Sequence, residues 1–300
     1  MRGLVVALVV TLVGCAPSSQ GPSTLTQPIV GGNTDTGDPG VVVTIAQQPG
    51  AMFGSLCTGS IVSPHAILTA AHCVAPALVG ANAEFFVYLG ADLNAASNGD
   101  FLQVKQTHFN PDFDEKNLMN GADVGLLVMK DTLPITPLTM NFTPLEQSMV
   151  GQPARLVGYG KDSGDDTSGS SAGVKRQVST TMGVLAPKLV RFGSGGTNTC
   201  EGDSGGPAFM TLDGKEVIVG IVSFGDVSCA QLGVDTRVDV YARDWVLPLL
   251  EEADPGFGAT LPADVTRAHG CDVGAGRTPL SSVALLIAAL CVLRRRYRLR

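Results

Sequence analysis

The sequence predicts an all-β core closed by a single C-terminal helix. Glycine (37) and proline (18) punctuate the whole 300-residue chain, so extended segments are repeatedly broken by turns. Between these breaks lie short apolar runs of the length and composition of strands, while only one segment carries a helical spacing of apolar residues.

Ordered structure is expected to begin at Ile29, after the polar stretch Ser18–Pro28. Strands are then read at VVVTIA (41–46), GSIVS (59–63), AILTAA (66–71) and AEFFVYLG (83–90), each rich in β-branched or aromatic residues. DVGLLVMK (123–130) and PARLVGYG (153–160) continue the series, and PAFMTL (207–212) and VIVGIVSFG (217–225) end it. Between them, KDSGDDTSGSSAGV (161–174) has too little apolar surface to pack and reads as a mobile loop. In VYARDWVLPLLEE (240–252), Tyr241, Trp245 and Leu249 stand four apart, the spacing of one helical face. No repeat period stands out.

Charge narrows the function classes. Between residues 29 and 270, 13 Lys and Arg face 26 Asp and Glu, a net charge of −13. Such a surface repels phosphate, so nucleic acid is excluded as a partner.

Both ends read as addresses. Residues 1–15 hold one arginine, an apolar stretch and then small residues, the layout of an export signal. Leu12-Val13-Gly14-Cys15 resembles the bacterial lipobox, with Cys15 as the lipidated residue; an ordinary small-residue cleavage site is the alternative. Residues 16–28 then form a propeptide-like segment and 253–270 a linker. Residues 271–300 combine Cys271, an apolar stretch from Leu280 to Leu293 and an arginine cluster. Fourteen helical residues span about 21 Å, short of a ~30 Å hydrocarbon core. The pattern resembles the removable sorting signals of myxobacterial surface proteins, with a simple tail anchor as the alternative. The expected location is exported: cell surface, outer membrane or extracellular, with membrane contact through the terminal signals.

CEGDSGGP (200–207) sets three glycines and two acids around Ser204. Glycine is the most expensive residue to order, so this cluster marks backbone that bends hard or approaches something closely. LTAAHC (68–73) places His72 at the end of a strand, and GADVGLL (121–127) opens an apolar strand with Asp123, a carboxylate that needs partners if buried. Together they provide a nucleophile, a base and a group to orient the base. With IVGG (29–32), and in the chain order His, Asp, Ser, these motifs resemble the trypsin-like serine proteases over residues 29–252.

That resemblance implies two packed antiparallel Greek-key β-barrels with a C-terminal helix, the first over about 29–145 and the second over about 146–252. It implies His72, Asp123 and Ser204 as catalytic residues, with the amides of Gly202 and Ser204 as the oxyanion hole. Ile29, freed by a cut after Pro28, would pair its ammonium with Asp203. Pro28 departs from the Lys or Arg of the family pattern, so another protease cuts here or the signal-processing route trims to Ile29. Disulfides Cys57–Cys73 and Cys200–Cys229 are implied, leaving Cys291 in the apolar tail. The substrate pocket is assigned to Asn198, Ser223, Gly225 and Gly233, with Phe224 in a position usually held by Trp. With Asn198 at its floor the pocket is uncharged there, which suggests a medium or large neutral residue before the cleaved bond; Glu201 and Asp226 near the rim offer a cation some attraction. Ser223 is also expected to seat Asp123.

No cofactor and no metal are expected. His65, His108 and His269 belong to no motif, and GADLNAASNGD (90–100) offers only Asp92 and Asp100 as carboxylates. The partners implied are protein or peptide substrates. A catalytically inactive homologue acting as a surface binding module is the rival reading; a lipase or esterase fails on chain order and lacks a G-x-S-x-G elbow.

Overall fold

The computed structural model describes residues 28–52, 54–193, 196–262 and 265. The chain divides into two compact units, Met1–Thr260 and Leu261–Arg300. The fold described below is that of the first unit. The signal and most of the propeptide-like segment, Cys15, His269, Cys271, Cys291 and the C-terminal segment 271–300 lie outside the described residues.

Twelve of the thirteen strands build two closed barrels. In the first, β2 (Val41–Gln47), β3 (Ser55–Ser63), β4 (Ala66–Thr69), β5 (Glu84–Tyr88), β6 (Phe101–Phe109) and β7 (Gly125–Met129) are ordered β2-β3-β4-β7-β6-β5, and β5 pairs back onto β2. In the second, β8 (Pro153–Gly158), β9 (Arg176–Leu185), β10 (Leu189–Phe192), β11 (Pro207–Leu212), β12 (Lys215–Gly225) and β13 (Gly233–Arg237) are ordered β8-β9-β10-β13-β12-β11, closed by β11 on β8. The two orders are the same circuit, and every pairing is antiparallel. A two-residue β1 (Asn33–Thr34) adds to β9. The expected two-barrel, all-β architecture is therefore present.

Local chemistry explains several of these elements. The β11–β12 hairpin turns on Asp213-Gly214, both at positive φ (49° and 74°), the requirement of the tight turn that matches strand twist. β2 is a run of buried residues because both its neighbours and the barrel interior cover it. The second barrel is filled by Leu156, Val178, Met182, Val190, Phe192, Ala208, Met210 and Val219, joined by Ile29. Each large apolar side chain fully buried in this way contributes about 1.5–3 kcal/mol.

Strands β6, β9, β10 and β13 were not read from the sequence: β6, β9 and β13 are polar, and β10 is an apolar run of only four residues. FLQVKQTHF shows only intermediate and exposed positions, so it carries little apolar signal. GVDTR is the opposite case: all five residues are buried, including Asp235, Thr236 and Arg237.

The chain after β13 is helical over Val238–Tyr241, Ala242–Val246 and Leu247–Ala253. The middle segment is one wide turn with i→i+5 spacing, which shifts the packed face by a residue. Tyr241, Ala242, Val246 and Leu250 are buried, whereas Trp245 and Leu249 are only half-buried, so the face read from four-residue spacing is displaced. Tyr241 donates its hydroxyl to the Gly121 carbonyl at 2.6 Å. At the far end Asp254 accepts from Ser63 Oγ (2.6 Å) and the His65 amide (3.1 Å) and meets His65 Nδ1 at 2.5 Å, giving that histidine a structural task.

The segment 161–174 is more tied than its composition suggests. Asp166 accepts from the amides of Ser168 (3.1 Å) and Ser171 (2.9 Å) and from both hydroxyls (2.6 Å each). Arg176 Nη1 donates to the Ser171 carbonyl at 2.6 Å. Hydrogen bonds between side chains and backbone replace the missing apolar contacts.

Candidate active site

Strand pairing brings His72 and Asp123 together. His72 sits in the turn Ala71–Cys73 just after β4, and Asp123 lies two residues before β7. Because β4 and β7 pair with Thr69 opposite Gly125, both residues leave the barrel at one end. Asp123 is 1 % exposed and accepts from the His72 amide (2.9 Å), from His72 Nδ1 (2.7 Å) and from Ser223 Oγ (2.5 Å). A carboxylate buried this deeply is tolerable only with such a full set of donors. As the ionised carboxylate can only accept, the imidazole proton sits on Nδ1 and the lone pair on Nε2. The ring itself is partly open to solvent.

Ser204 arrives from the second barrel on the loop between β10 and β11. Its carbonyl accepts from the Thr58 amide at 2.8 Å, and Cys73 Sγ lies 3.7 Å from the same oxygen, so this loop rests directly against the histidine turn. Thr58 Oγ1 donates to the Gly202 carbonyl (2.8 Å) and accepts from the Tyr159 amide (3.1 Å). The glycines flanking the serine have no substitute. Gly202 has φ +99° and a Cβ there would meet Gly160 Cα at 2.9 Å; Gly205 has φ +82° and a Cβ there would stand 2.4 Å from the Thr58 carbonyl. In this bend the amides of Asp203, Gly205 and Gly206 have protein acceptors, whereas among the described residues those of Gly202 and Ser204 donate to none. Among the described residues, the serine's own N–H and that of Gly202 are thus both unpaired.

Asp203 is fully buried and accepts from the Gly160 amide (2.7 Å) and the Cys200 amide (2.8 Å). Burial pushes its carboxyl up to about 6, against the opposing pull of those two amides and of Arg176. Ile29 is likewise fully buried, at φ 34°, a rare conformation for a β-branched residue. The carbonyl of Val30 accepts from the Asn198 amide at 3.0 Å.

The residues expected to line the substrate pocket also lie near one another. Asn198 is 1 % exposed, its Oδ1 accepting from the Thr199 amide (2.9 Å) and lying 2.3 Å from where a Gly233 Cβ would stand. Gly225 pairs with Gly233 across β12 and β13. Disulfides Cys57–Cys73 and Cys200–Cys229 are both formed, the first beside His72 and the second joining the serine loop to the β12–β13 connection. Glu201 and Asp226 are not free to attract a cation at the rim. Glu201 pairs with Lys161, and Asp226 holds the amides of Ala230 (3.1 Å), Gln231 (2.9 Å) and Leu232 (2.6 Å).

Sequence reasoning missed Thr58, which stitches the serine loop to the first barrel, and Asp235, a buried carboxyl on β13. Neither stands in a recognisable motif.

The sequence model of the Trypsin family matches residues 29–246. A trypsin of Simulium vittatum is 33 % identical over 195 residues, 58 % of this chain and 72 % of that protein. Trypsin zeta of Drosophila erecta is 27 % identical over 221 residues (66 % and 75 %), and a trypsin-like protease of Streptomyces glaucescens 29 % over 211 (63 % and 72 %).

Proposed function

Since this chain belongs to the trypsin family of serine proteases, we propose that it is an exported serine endopeptidase that cleaves proteins or peptides through an acyl-enzyme. The observation that carries this reading is the chain of contacts from Ser223 through Asp123 to His72, set against a serine loop whose Gly202 and Ser204 amides are unpaired.

Each group has a step. His72 Nε2 takes the proton of Ser204 Oγ as the oxygen attacks the scissile carbonyl, and Asp123 holds the ring in the tautomer that permits it and stabilises the cation formed. The tetrahedral oxyanion is received by the amides of Gly202 and Ser204. His72 then returns its proton to the leaving amine, which departs with the C-terminal part of the substrate. Water repeats the sequence on the Ser204 ester, regenerating the hydroxyl. Donors fixed in advance need no reorganisation as charge develops, and losing one such donor costs about 10²–10³ in rate.

Activation follows from the fully buried Ile29 and Asp203. A cut after Pro28 by another protease frees an ammonium whose partner is Asp203, and the serine loop is thereby held. The two disulfides suit an oxidising compartment, in keeping with export through residues 1–15, lipidation at Cys15 and surface attachment through Cys271 and the tail.

The test is covalent labelling of the processed protein with an organophosphate. Stoichiometric modification of Ser204, prevented by His72→Ala, is expected; an unlabelled but folded protein would indicate the inactive surface binding module.

A further inference from the structure

The disulfide beside His72 joins Cys57 on β3 to Cys73, the next residue after the histidine. One ring nitrogen of His72 and the two sulfurs all lie within 4.8 Å of one another. Among the described residues it is the one group of three histidine, cysteine or acidic side chains gathered in a way that could hold a metal ion. Bonded to each other, the sulfurs have no thiolate to offer. Reduced, they are two thiols beside an imidazole, the donor set of a zinc centre with two cysteines and one histidine. Zn–S bonds of about 2.3 Å and a Zn–N bond of about 2.0 Å put tetrahedral ligands about 3.5–3.8 Å apart, a spacing within the reach of this group.

The groups that would support such a centre are already in place. Asp123 accepts from His72 Nδ1 at 2.7 Å, which leaves the Nε2 lone pair for a metal, and a metal-binding histidine almost always gives its other N–H to a carboxylate or carbonyl in this way. The carboxylate is held in turn by the His72 amide and by Ser223 Oγ. The His72 side chain is 22 % exposed, while Cys57 and Cys73 are buried at 8 % and 5 %. An ion from solvent therefore meets the imidazole first and is closed in by sulfur.

We propose that Cys57, Cys73 and His72 form a zinc site in the reduced protein, and that the bound ion silences the chain by occupying the lone pair with which His72 takes the proton of Ser204. The silencing rests on the endopeptidase reading; the metal site does not. A dithiol supplies the two electrons, its own sulfurs joining as a disulfide while Cys57 and Cys73 become thiols. Zn²⁺ then binds with loss of the two thiol protons, and water completes the tetrahedron. Exchange with a small-molecule disulfide restores the bridge and frees both the ion and the base. For a chain bound for an oxidising compartment, closure of this bridge thus marks the onset of activity.

Cobalt(II) tests the site without turnover. The processed protein, reduced with dithiothreitol, desalted and kept free of oxygen, should take up Co²⁺ with a thiolate-to-cobalt charge-transfer band and the visible bands of a tetrahedral centre, both bleached by Zn²⁺. These bands should be absent from the disulfide-bonded protein and lost in reduced Cys73→Ser. His72→Ala should weaken zinc binding by at least the roughly tenfold that loss of a supporting group alone costs. A reduced parent without the charge-transfer band, a band unchanged in Cys73→Ser, or undiminished affinity in His72→Ala overturns the inference; the last also exposes binding by an unfolded chain. Zinc should further lower peptide cleavage by the reduced protein at least tenfold, reversibly with EDTA, and leave the disulfide-bonded protein at full rate. An equal loss in both forms, or none in the reduced form, counts against capture of His72. Should neither form cleave peptide while cobalt binds through Cys73 and His72, the endopeptidase reading fails and the metal site stands.

Discussion

The amide of Asn198, the residue proposed for the pocket floor, donates to the carbonyl of Val30, one residue after Ile29, at 3.0 Å. Ile29 itself is buried in the core of the second barrel. The proposed pocket floor and the proposed activation segment are thus joined by a hydrogen bond.

The first prediction follows from that link. A protein beginning at Ile29 should be active, whereas one extended by a single alanine, or carrying Asp203→Asn, should lose most activity at every pH. Removing one partner of a buried ion pair costs about 3–5 kcal/mol. An α-amino group titrates near 7.7–8.0 and is raised by such a pair, so the stabilisation is complete below that range and is lost as pH climbs through the raised value. Rate–pH profiles of the three proteins decide; equal rates for the extended protein would rule out the insertion switch.

Ser204→Ala and His72→Ala should each abolish turnover by several orders of magnitude, and the double variant should be no worse than either alone, because the residues act as a unit. Ser223→Ala removes one of three hydrogen bonds to Asp123, worth about 1.5–3 kcal/mol for a charged acceptor, and should lower kcat by about ten- to a hundredfold. Steady-state kinetics on protein purified free of other proteases provides the check.

Gly202→Ala should fold yet lose about 10²–10³ in kcat. Its Cβ would stand 2.9 Å from both Gly160 Cα and Leu56 Cδ2, and the residue would need φ +99°, so the bend must open and carry the two unpaired amides away. Comparable melting temperatures with preserved kcat would refute the assignment of those amides.

Asp235 gives stability an unusual pH dependence. Its carboxyl is raised to about 8 in the folded chain by burial, far above its unfolded value, so the unfolded state binds fewer protons between about pH 4 and 8. Stability should therefore fall as pH rises through that window. The total loss is on the order of 5 kcal/mol, at 1.36 kcal/mol per pKa unit. Asp235→Asn, which mimics the protonated acid, should match the parent near pH 4 and exceed it at pH 9 in thermal melts. A parallel pH dependence for the two proteins would contradict the burial of an unpaired acid.

The cysteine pair Cys200–Cys229 closes a loop of sequence separation 29. Its replacement by two serines should destabilise the protein by about 2–5 kcal/mol and loosen the pocket wall, seen as a KM increase larger than the loss in kcat.

How much of this was legible varied with what each residue advertises. His72, Asp123 and Ser204 stand in spaced motifs, and the strands that position them are apolar enough to read, so the site's frame was visible in the sequence. Asp213-Gly214 announces its hairpin for the same local reason. β13 was not visible, because GVDTR reads as a polar loop; its burial is imposed by the strands on either side, Leu189–Phe192, distant in sequence, and Gly220–Gly225. Asp235 was hidden with it. Thr58 is one threonine among many, and its role exists only once two barrels meet. The helix face was misplaced because an i→i+5 turn leaves no signature in apolar spacing.

Thr58 is fully buried, and through its amide, hydroxyl and carbonyl it contacts Ser204, Gly202, Tyr159 and Thr69. It belongs to β3 of one barrel, while three of those partners come from the other half of the chain or the connection leading into it. His72 and Ser204 are thus carried on separate barrels, and Thr58 is one of the residues that set them against each other, as a dowel sets two castings. Neither half of the molecule can melt without dismantling the register of the other's chemistry. The amides of Thr58 and Gly205, each bonded across or beside that seam, should accordingly exchange with solvent at one common rate, that of the whole protein opening.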